Sequence, residues 1–305
     1  MNLNALHYIV KIDEKQNITK AANDLYISQS ALSQNLQTIE KELGTSLFDR
    51  SLSPLQPTEA GKIFIDWAKR VLDSENEMLH RISDITKMPN RTLRIGLSPQ
   101  KSVRIFPKII KRFYESVSHC KIILEEHPSD LLLPMLAENT IDLLFDVPHS
   151  DLLSYDFIPI ADEKILIAAP GELVFKTQKT EYKFPSVELS EIIHFPFISL
   201  AQGQYLGKIV KELYKMANCS PNICMECRSA DMALNMVKTN LGITVIPEFA
   251  VKNTESDNIN YYRLAHPDIK RTVGILYRKG TYLNHDCCTL IEILKEELAS
   301  NLLTN

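Results

Sequence analysis

The chain has 305 residues, 45% apolar and 24% charged, with a formal net charge of −4. That length supports two or three domains with adequate cores, and the composition is that of an ordinary globular protein rather than a disordered or fibrous one. Bulk charge carries no nucleic-acid signature, and no apolar run approaches the ~20 residues needed to cross a bilayer. The opening MNLNALHYIVKIDEK lacks the succession of basic, apolar and small residues found in a signal peptide, so a cytoplasmic location is expected. Six dispersed cysteines, Cys120, Cys219, Cys224, Cys227, Cys287 and Cys288, read as free thiols rather than a disulfide framework.

In chain order, Leu6, Ile9 and Val10 mark one face of a first helix ended by DEKQN. Thr19 reads as the N-cap of a short second helix whose Ala21, Ala22 and Leu25 admit a close neighbour. After the tight connection YIS, Ser28 caps a third helix with Leu32, Leu36, Ile39 and Leu43 on its buried side and Gly44 at its end. Two short helices joined this way form a helix-turn-helix, whose second helix enters the DNA major groove. From Ser28 to Ile39 that helix carries no charged side chain. Gln pairs bidentately with adenine and Ser donates to bases or phosphates, whereas an acidic residue there repels DNA. Thr19, Lys20, Ser28, Gln29, Ser30, Ser33, Gln34, Gln37 and Arg50 are therefore the candidate DNA contacts, with Lys41 adding local charge. The plain alternative is a polar helix facing water. Residues 1–87 hold ten Lys or Arg against twelve Asp or Glu, so local arrangement must carry any nucleic-acid reading.

The run from LHYIV through AANDLYISQSALSQNLQTIEKELGTSLFDR to TEAG resembles the N-terminal winged helix-turn-helix of the LysR-type transcriptional regulators. The landmarks are Ala21 and Ala22, Ser28 and Gln29, Leu47, Phe48 and Arg50, and Thr58, Ala60 and Gly61, with SLSPLQP as the wing. Ser30 stands where the family usually has Pro, and Gln34 where it often has Arg, which changes the expected affinity and target sequence but not the fold. A linker helix over 61–88 follows, with Phe64, Trp67, Val71, Met78 and Ile82 near heptad spacing and Pro89 as its stop. At ~1.5 Å per residue it outreaches a small winged domain, so an inter-subunit seam is expected, and with it a homodimer on an inverted repeat.

The remaining chain alternates strands and helices: TLRIGLS, KIILEE, SDLLLPMLAENT, IDLLFDV, ILIAAP, FPFISL, a helix from Tyr205 to Ala217, NICMEC, a helix from Ala230 to Thr239, GITVIP, RTVGILYR and a closing amphipathic helix. This rhythm predicts a mainly parallel sheet. Crossings near Asp162–Lys164 and His266–Arg271 would divide residues 89–305 into lobe I (about 91–161 and 268–305) and lobe II (about 162–267). The pattern resembles the effector-binding portion of the same family, a two-lobed α/β domain similar to type 2 periplasmic binding proteins, following an all-α winged helix-turn-helix over 1–60. Ligands in open α/β folds bind beyond the carboxyl ends of strands. Ser98, Lys101, Ser102, Ser199, Leu200, Ser229, Gly242 and Thr244 are thus the candidate effector contacts, for a small anion such as a carboxylate; the alternative for Ser98 and Ser229 is helix capping alone.

The resemblance implies a ligand-responsive, homo-oligomeric regulator, a dimer through the long helix and a tetramer through the effector lobes. Effector binding then changes DNA affinity or bending, and the family likeness leaves room for RNA polymerase as a partner. The competing reading is a two-lobed small-molecule binding protein without a transcriptional role; a thiol enzyme is a third. Cys224 and Cys227 sit three apart in a strand and point to opposite faces, so no metal site is expected, and redox sensing at Cys227 is a minority reading. No dinucleotide fingerprint, phosphate loop or nucleophile elbow is present, so no cofactor and no catalysis are expected.

Overall fold

In the computed structural model, residues 2–86, 91–148, 154–178, 182–201, 204–220, 222–251 and 258–303 are described. The chain divides into two compact units, Met1–Lys87 and Met88–Asn305. Pro89, the expected helix stop, lies outside the described residues.

The first unit comprises α1 (Leu3–Lys15), α2 (Ile18–Asp24), α3 (Gln29–Leu43), the two-stranded wing β1 (Phe48–Asp49) and β2 (Gln56–Pro57), and α4 (Glu59–Thr86). Leu6, Ile9, Ile12, Ala21, Ala22, Leu32, Leu36 and Ile39 close around Leu47 and Phe48 as a single core. Each fully buried Leu or Ile there contributes roughly 1.5–3 kcal/mol. Two expectations shift. The N-cap of α2 is Asn17, whose side chain accepts from Lys20 N–H at 2.9 Å, so Thr19 lies inside the first turn. Leu43, expected in the core, is 46% exposed. Gly44 closes α3 at φ 69°.

The wing is tied down by the residues of the Thr-x-Ala-Gly landmark. Thr58 donates its hydroxyl to Ser46 O at 2.7 Å and accepts from Gly61 N–H at 3.0 Å, which starts α4. A Cβ on Gly61 would stand 1.9 Å from Leu47 O, so only glycine allows this approach. Glu40 of α3 accepts from Leu47 N–H and from the Arg50 guanidinium, each at 2.8 Å, fixing the wing to the third helix.

Along α4, Phe64, Ile65, Ala68 and Leu72 are buried in the unit's own core, and Val71 packs against it. Of the five residues expected in the inter-subunit seam, Phe64 and Val71 are therefore engaged internally, whereas Trp67, Met78 and Ile82 are 38–49% exposed. Ile63, Leu79 and Ile85 extend that exposed row.

The second unit runs β3 (Arg91–Leu97), α5 (Pro99–Arg104), α6 (Phe106–Ser116), β4 (Cys120–Glu126), α7 (Ser129–Ala137), β5 (Leu143–Asp146), β6 (Tyr155–Pro170), β7 (Thr177–Gln178), β8 (Ser186–Val187) and α8 (Leu189–Ile192). It continues with β9 (Phe197–Leu200), α9 (Tyr205–Met216), β10 (Ile223–Cys227), α10 (Ala230–Lys238), β11 (Thr244–Pro247), a 3-10 turn Glu248–Ala250, β12 (Ile259–Leu264), β13 (Lys270–Arg278) and α11 (His285–Leu303). The strand order β4-β3-β5-β13-β6-β12-β8-β7, with β11 also on β6, mixes directions. Strands β3, β4 and β5 pair in parallel, but β13 and the long β6 run antiparallel, so the expected mainly parallel sheet is a mixed one.

Strand β6 defines the two lobes. Residues up to Lys164 pair with β13, and from Ile165 onward the same strand pairs with β11 and β12. The chain returns between Leu264 and Lys270. A bulge at this pairing, where Val273 faces Ala161 but Gly274 faces Pro159, lets β6 pass its proline without losing the ladder. The two largest apolar cores are separate, one around Leu93, Ile95, Phe113 and Leu290, the other around Phe197, Val210, Leu213 and Val245.

Candidate functional site

The first candidate surface is the start of α3. Ser28 takes β backbone angles and accepts from Ala31 N–H at 3.2 Å, so its hydroxyl caps the helix. It also lies 3.1 Å from the Ser30 hydroxyl, a neighbour that the family's usual proline could not supply. Gln29, Ser30, Gln34 and Gln37 are exposed and Ser33 is half-buried, while Leu32, Leu36 and Ile39 anchor the opposite face. Among the described residues the side chains of Gln29, Gln34 and Gln37 make no intramolecular hydrogen bond, which leaves their donors and acceptors for an external partner. Thr19 and Lys20 are exposed beside this surface, and Arg50 is half-exposed with its charge shared with Glu40. Two other cations of the unit are spent locally, Lys15 on Asp24 at 2.6 Å and Lys69 on Asp13 at 3.4 Å. Tyr26, in the turn between α2 and α3, is 96% exposed and was given no role by the sequence.

The second candidate is a cleft of about 130 Å³ between the lobes. It lies beyond the carboxyl ends of the strands, where four helices begin. From lobe I come Ser98, Pro99 and Gln100 at α5, Pro128 and Ser129 at α7, and Asp146 at the end of β5. From lobe II come Leu200 at the end of β9, Gln204 and Tyr205 at α9, and Arg228, Ser229 and Asp231 at α10. No side chain caps α5, α7 or α9, whereas Ser229 caps α10 by accepting from Met232 N–H at 3.3 Å. Helix starts aimed at one space make it electropositive through their free N–H groups.

Charged side chains knit the cleft floor. Lys101, expected as a cationic effector contact, is buried and bonds Asp146 Oδ1 at 2.6 Å and Phe145 O at 3.1 Å. Burial pulls the Lys101 ammonium below its usual pKa. Burial pushes Asp146 the other way, but the facing ammonium prevails and holds its carboxyl below the ordinary range. Beside this pair, Arg271 Nε meets Glu163 Oε1 at 2.5 Å and its guanidinium lies 5.2 Å from the Tyr205 ring centre. Burial raises the Glu163 pKa despite that arginine. Arg104 of α5 reaches Asp231 of α10 at 2.6 Å, joining the lobes across the cleft. Arg228 has no ion pair among the described residues.

Of the sequence-expected contacts, Ser98, Lys101, Leu200 and Ser229 line the cleft. Ser102 is buried away from it, Ser199 donates to Leu200 O at 3.0 Å, and Thr244 is fully buried and donates to Ile198 O at 2.7 Å. Gly242 packs where a Cβ would fall 2.3 Å from Pro196 O, so it serves the close approach of the neighbouring strands. Ser98 does not cap its helix through its hydroxyl. Residues the sequence reading missed are Gln100, Ser129, Asp146, Gln204, Tyr205, Arg228 and Arg271. The Asx- or Ser-containing starts of α7 and α10 were visible signals; Arg271 and Gln204 had none.

All six cysteines are free thiols. Burial raises the Cys227 pKa, and its sulfur donates to Ser229 O at 3.4 Å. Cys120 is pushed up to about 12 by burial and then by Asp286. Cys224 Sγ contacts Phe197 O and Leu241 O instead of the other thiols. Among the described residues no group of three His, Cys, Asp or Glu side chains could hold a metal, and no helix is long and apolar enough to cross a membrane.

Comparison with known proteins covers both units. Residues 3–62 match the "Bacterial regulatory helix-turn-helix protein, lysR family", and residues 86–299 match the "LysR substrate binding domain". The chain is 27% identical over 284 residues to the uncharacterized HTH-type transcriptional regulator YybE of Bacillus subtilis, covering 93% of this chain and 94% of that one. It is 24% identical over 299 residues to the dual regulator OxyR of Escherichia coli, covering 98% and 96%. Among solved structures, full-length CbnR complexed with its target DNA superposes at a TM-score of 0.58 with 19% identity, covering 97% of this chain and all of that one. With a recognition helix and a two-lobed cleft in the expected order, and both family signatures together spanning most of its length, the chain belongs to the LysR family of ligand-responsive, DNA-binding transcriptional regulators.

Proposed function

We propose that this regulator reads promoter DNA with Gln29, Ser30, Ser33, Gln34 and Gln37 of α3 and responds to a small anion held in the inter-lobe cleft. The observation that carries the second half is the convergence of α7, α9 and α10 on the cleft, with two of those starts left without a side-chain cap. Backbone N–H groups so placed favour a carboxylate or similar anion. Arg228 adds an uncompensated positive charge at the rim. The exposed row Ile63, Trp67, Met78, Leu79, Ile82 and Ile85 on α4 supports a homodimer built on that helix, which presents two recognition helices to an inverted repeat. Effector binding shifts the balance between two arrangements of the lobes, and the DNA is bound or bent differently in each.

The test is fluorescence anisotropy of the full chain on its own upstream DNA, with a bending assay, in the presence of a panel of small carboxylates. At least one should change affinity or bend angle in wild type and not in Arg228→Ala. A panel that alters neither quantity at saturation defeats the anion-response reading.

A further inference from the structure

We propose that the effector is a zwitterion, a small amino acid whose carboxylate sits at the helix starts and whose ammonium faces Gln204. This rests on reading the cleft as the effector site. Gln204 Nε2 donates to Arg228 O at 2.9 Å, which fixes the amide's orientation and makes its oxygen the spare atom. That oxygen is buried and has no hydrogen-bond partner. Gln100 Nε2, which lines the same cleft, is likewise buried and without a partner. Buried polar atoms are nearly always paired, so two orphans in one binding cleft point to groups that a ligand completes. One orphan is an acceptor and the other a donor. A simple carboxylate only accepts, which would satisfy Gln100 and leave the Gln204 oxygen facing another oxygen. An ammonium beside the carboxylate removes that conflict.

The charges agree. Arg228, Lys101 and Arg271 line the cleft, but so do Asp146 and Asp231. Asp146 pairs with Lys101 at 2.6 Å, and Asp231 with Arg104 at 2.6 Å. The wall thus presents carboxylates as well as cations, and a zwitterion is complementary to both signs. Size sets the remaining limit. A cavity near 150 Å³ admits benzene, so about 130 Å³ suits a ligand of roughly six non-hydrogen atoms, the size of alanine.

The experiment titrates the full chain calorimetrically with the common small amino acids and, for each, the matching deamino and hydroxy carboxylates, alanine, propionate and lactate being the simplest triplet. At least one amino acid should bind at least tenfold tighter than its deamino partner. Gln204→Leu should abolish that preference without lowering the unfolding temperature of the ligand-free chain, and Gln204→Glu should strengthen it. The proposal is overturned if the deamino or hydroxy acid binds as tightly as the amino acid, or if the preference survives in Gln204→Leu. If no member binds, inorganic phosphate separates the two levels. Phosphate binding that is lost in Arg228→Ala sinks the zwitterion but keeps the anion cleft, and absence of phosphate binding sinks both.

Discussion

The two units put polar side chains to opposite uses. On α3 the amides of Gln29, Gln34 and Gln37 stand exposed and unengaged, held in place by an apolar back face. On the cleft floor charged side chains are already paired: Lys101 with Asp146 and Arg271 with Glu163, both pairs buried, and Arg104 with the partly exposed Asp231. Exposed amides cost the fold almost nothing and are free to be chosen for the partner they meet. Buried ion pairs are bound into stability, so a change there alters the scaffold before it alters recognition. The contrast predicts that function and stability separate in the first unit and are coupled in the second.

The largest test of that contrast is Lys101→Met, which leaves Asp146 buried without its ammonium partner and should cost about 3–5 kcal/mol of stability. The double variant Lys101→Met with Asp146→Leu should recover most of the loss; if it does not, the pair contributes more than mutual neutralisation. The unit's own unfolding can be followed separately, because the six cysteines all lie beyond residue 88 and the single tryptophan, Trp67, lies in α4. Thiol labelling in denaturant should therefore move in Lys101→Met while the Trp67 transition keeps its midpoint.

On the other side of the contrast, Gln34→Ala should weaken specific DNA binding by about 1–3 kcal/mol, roughly 5- to 150-fold, for loss of a bidentate base contact. Its unfolding midpoint should stay within about 0.5 kcal/mol of wild type. Glu40→Ala lies between the two regimes. It removes the acceptor that holds Leu47 N–H and Arg50, and it should cost about 1–3 kcal/mol while loosening the wing, visible as faster hydrogen exchange at Leu47. Least in effect is native-state thiol reactivity: exposed Cys224 and Cys288 should label first, and buried Cys120 and Cys287 should resist, since burial raises both of the latter.

Legibility in the sequence follows the same division. The first unit is written in local signals. Ser28 before the uncharged run, the alanine pair, and Thr58 before Gly61 each act within a few residues of where they stand. Even the error is local: Asn17 and Thr19 are both capping residues, and Asn17 wins because its oxygen reaches the third N–H of the helix it starts. The cleft is assembled from segments up to 173 residues apart, Ser98 and Arg271 being the extremes. A serine in the sequence does not declare which way its hydroxyl turns, and Ser199 and Thr244 turn theirs onto neighbouring carbonyls. The strand β6 was read only in its apolar second half, because its middle carries Pro159 and charged residues that suggest a crossing. The structure makes the crossing within one continuous strand.

Salt is the most direct probe of the central claim, that an uncharged recognition face binds DNA by hydrogen bonds rather than by bulk charge. Anisotropy on the upstream DNA and a scrambled control would be measured across a salt series for wild type, Gln34→Ala and Lys20→Ala. With only Lys20 and Lys41 exposed and outside ion pairs on α2 and α3 among the described residues, a dimer should release about four counterions and give a log–log slope near −4. Gln34→Ala should lose the preference for the upstream sequence at unchanged slope, and Lys20→Ala should flatten the slope while keeping the preference. Equal binding of both DNAs by wild type, or a Gln34→Ala variant as selective as wild type, would contradict the assignment of α3 as the reader.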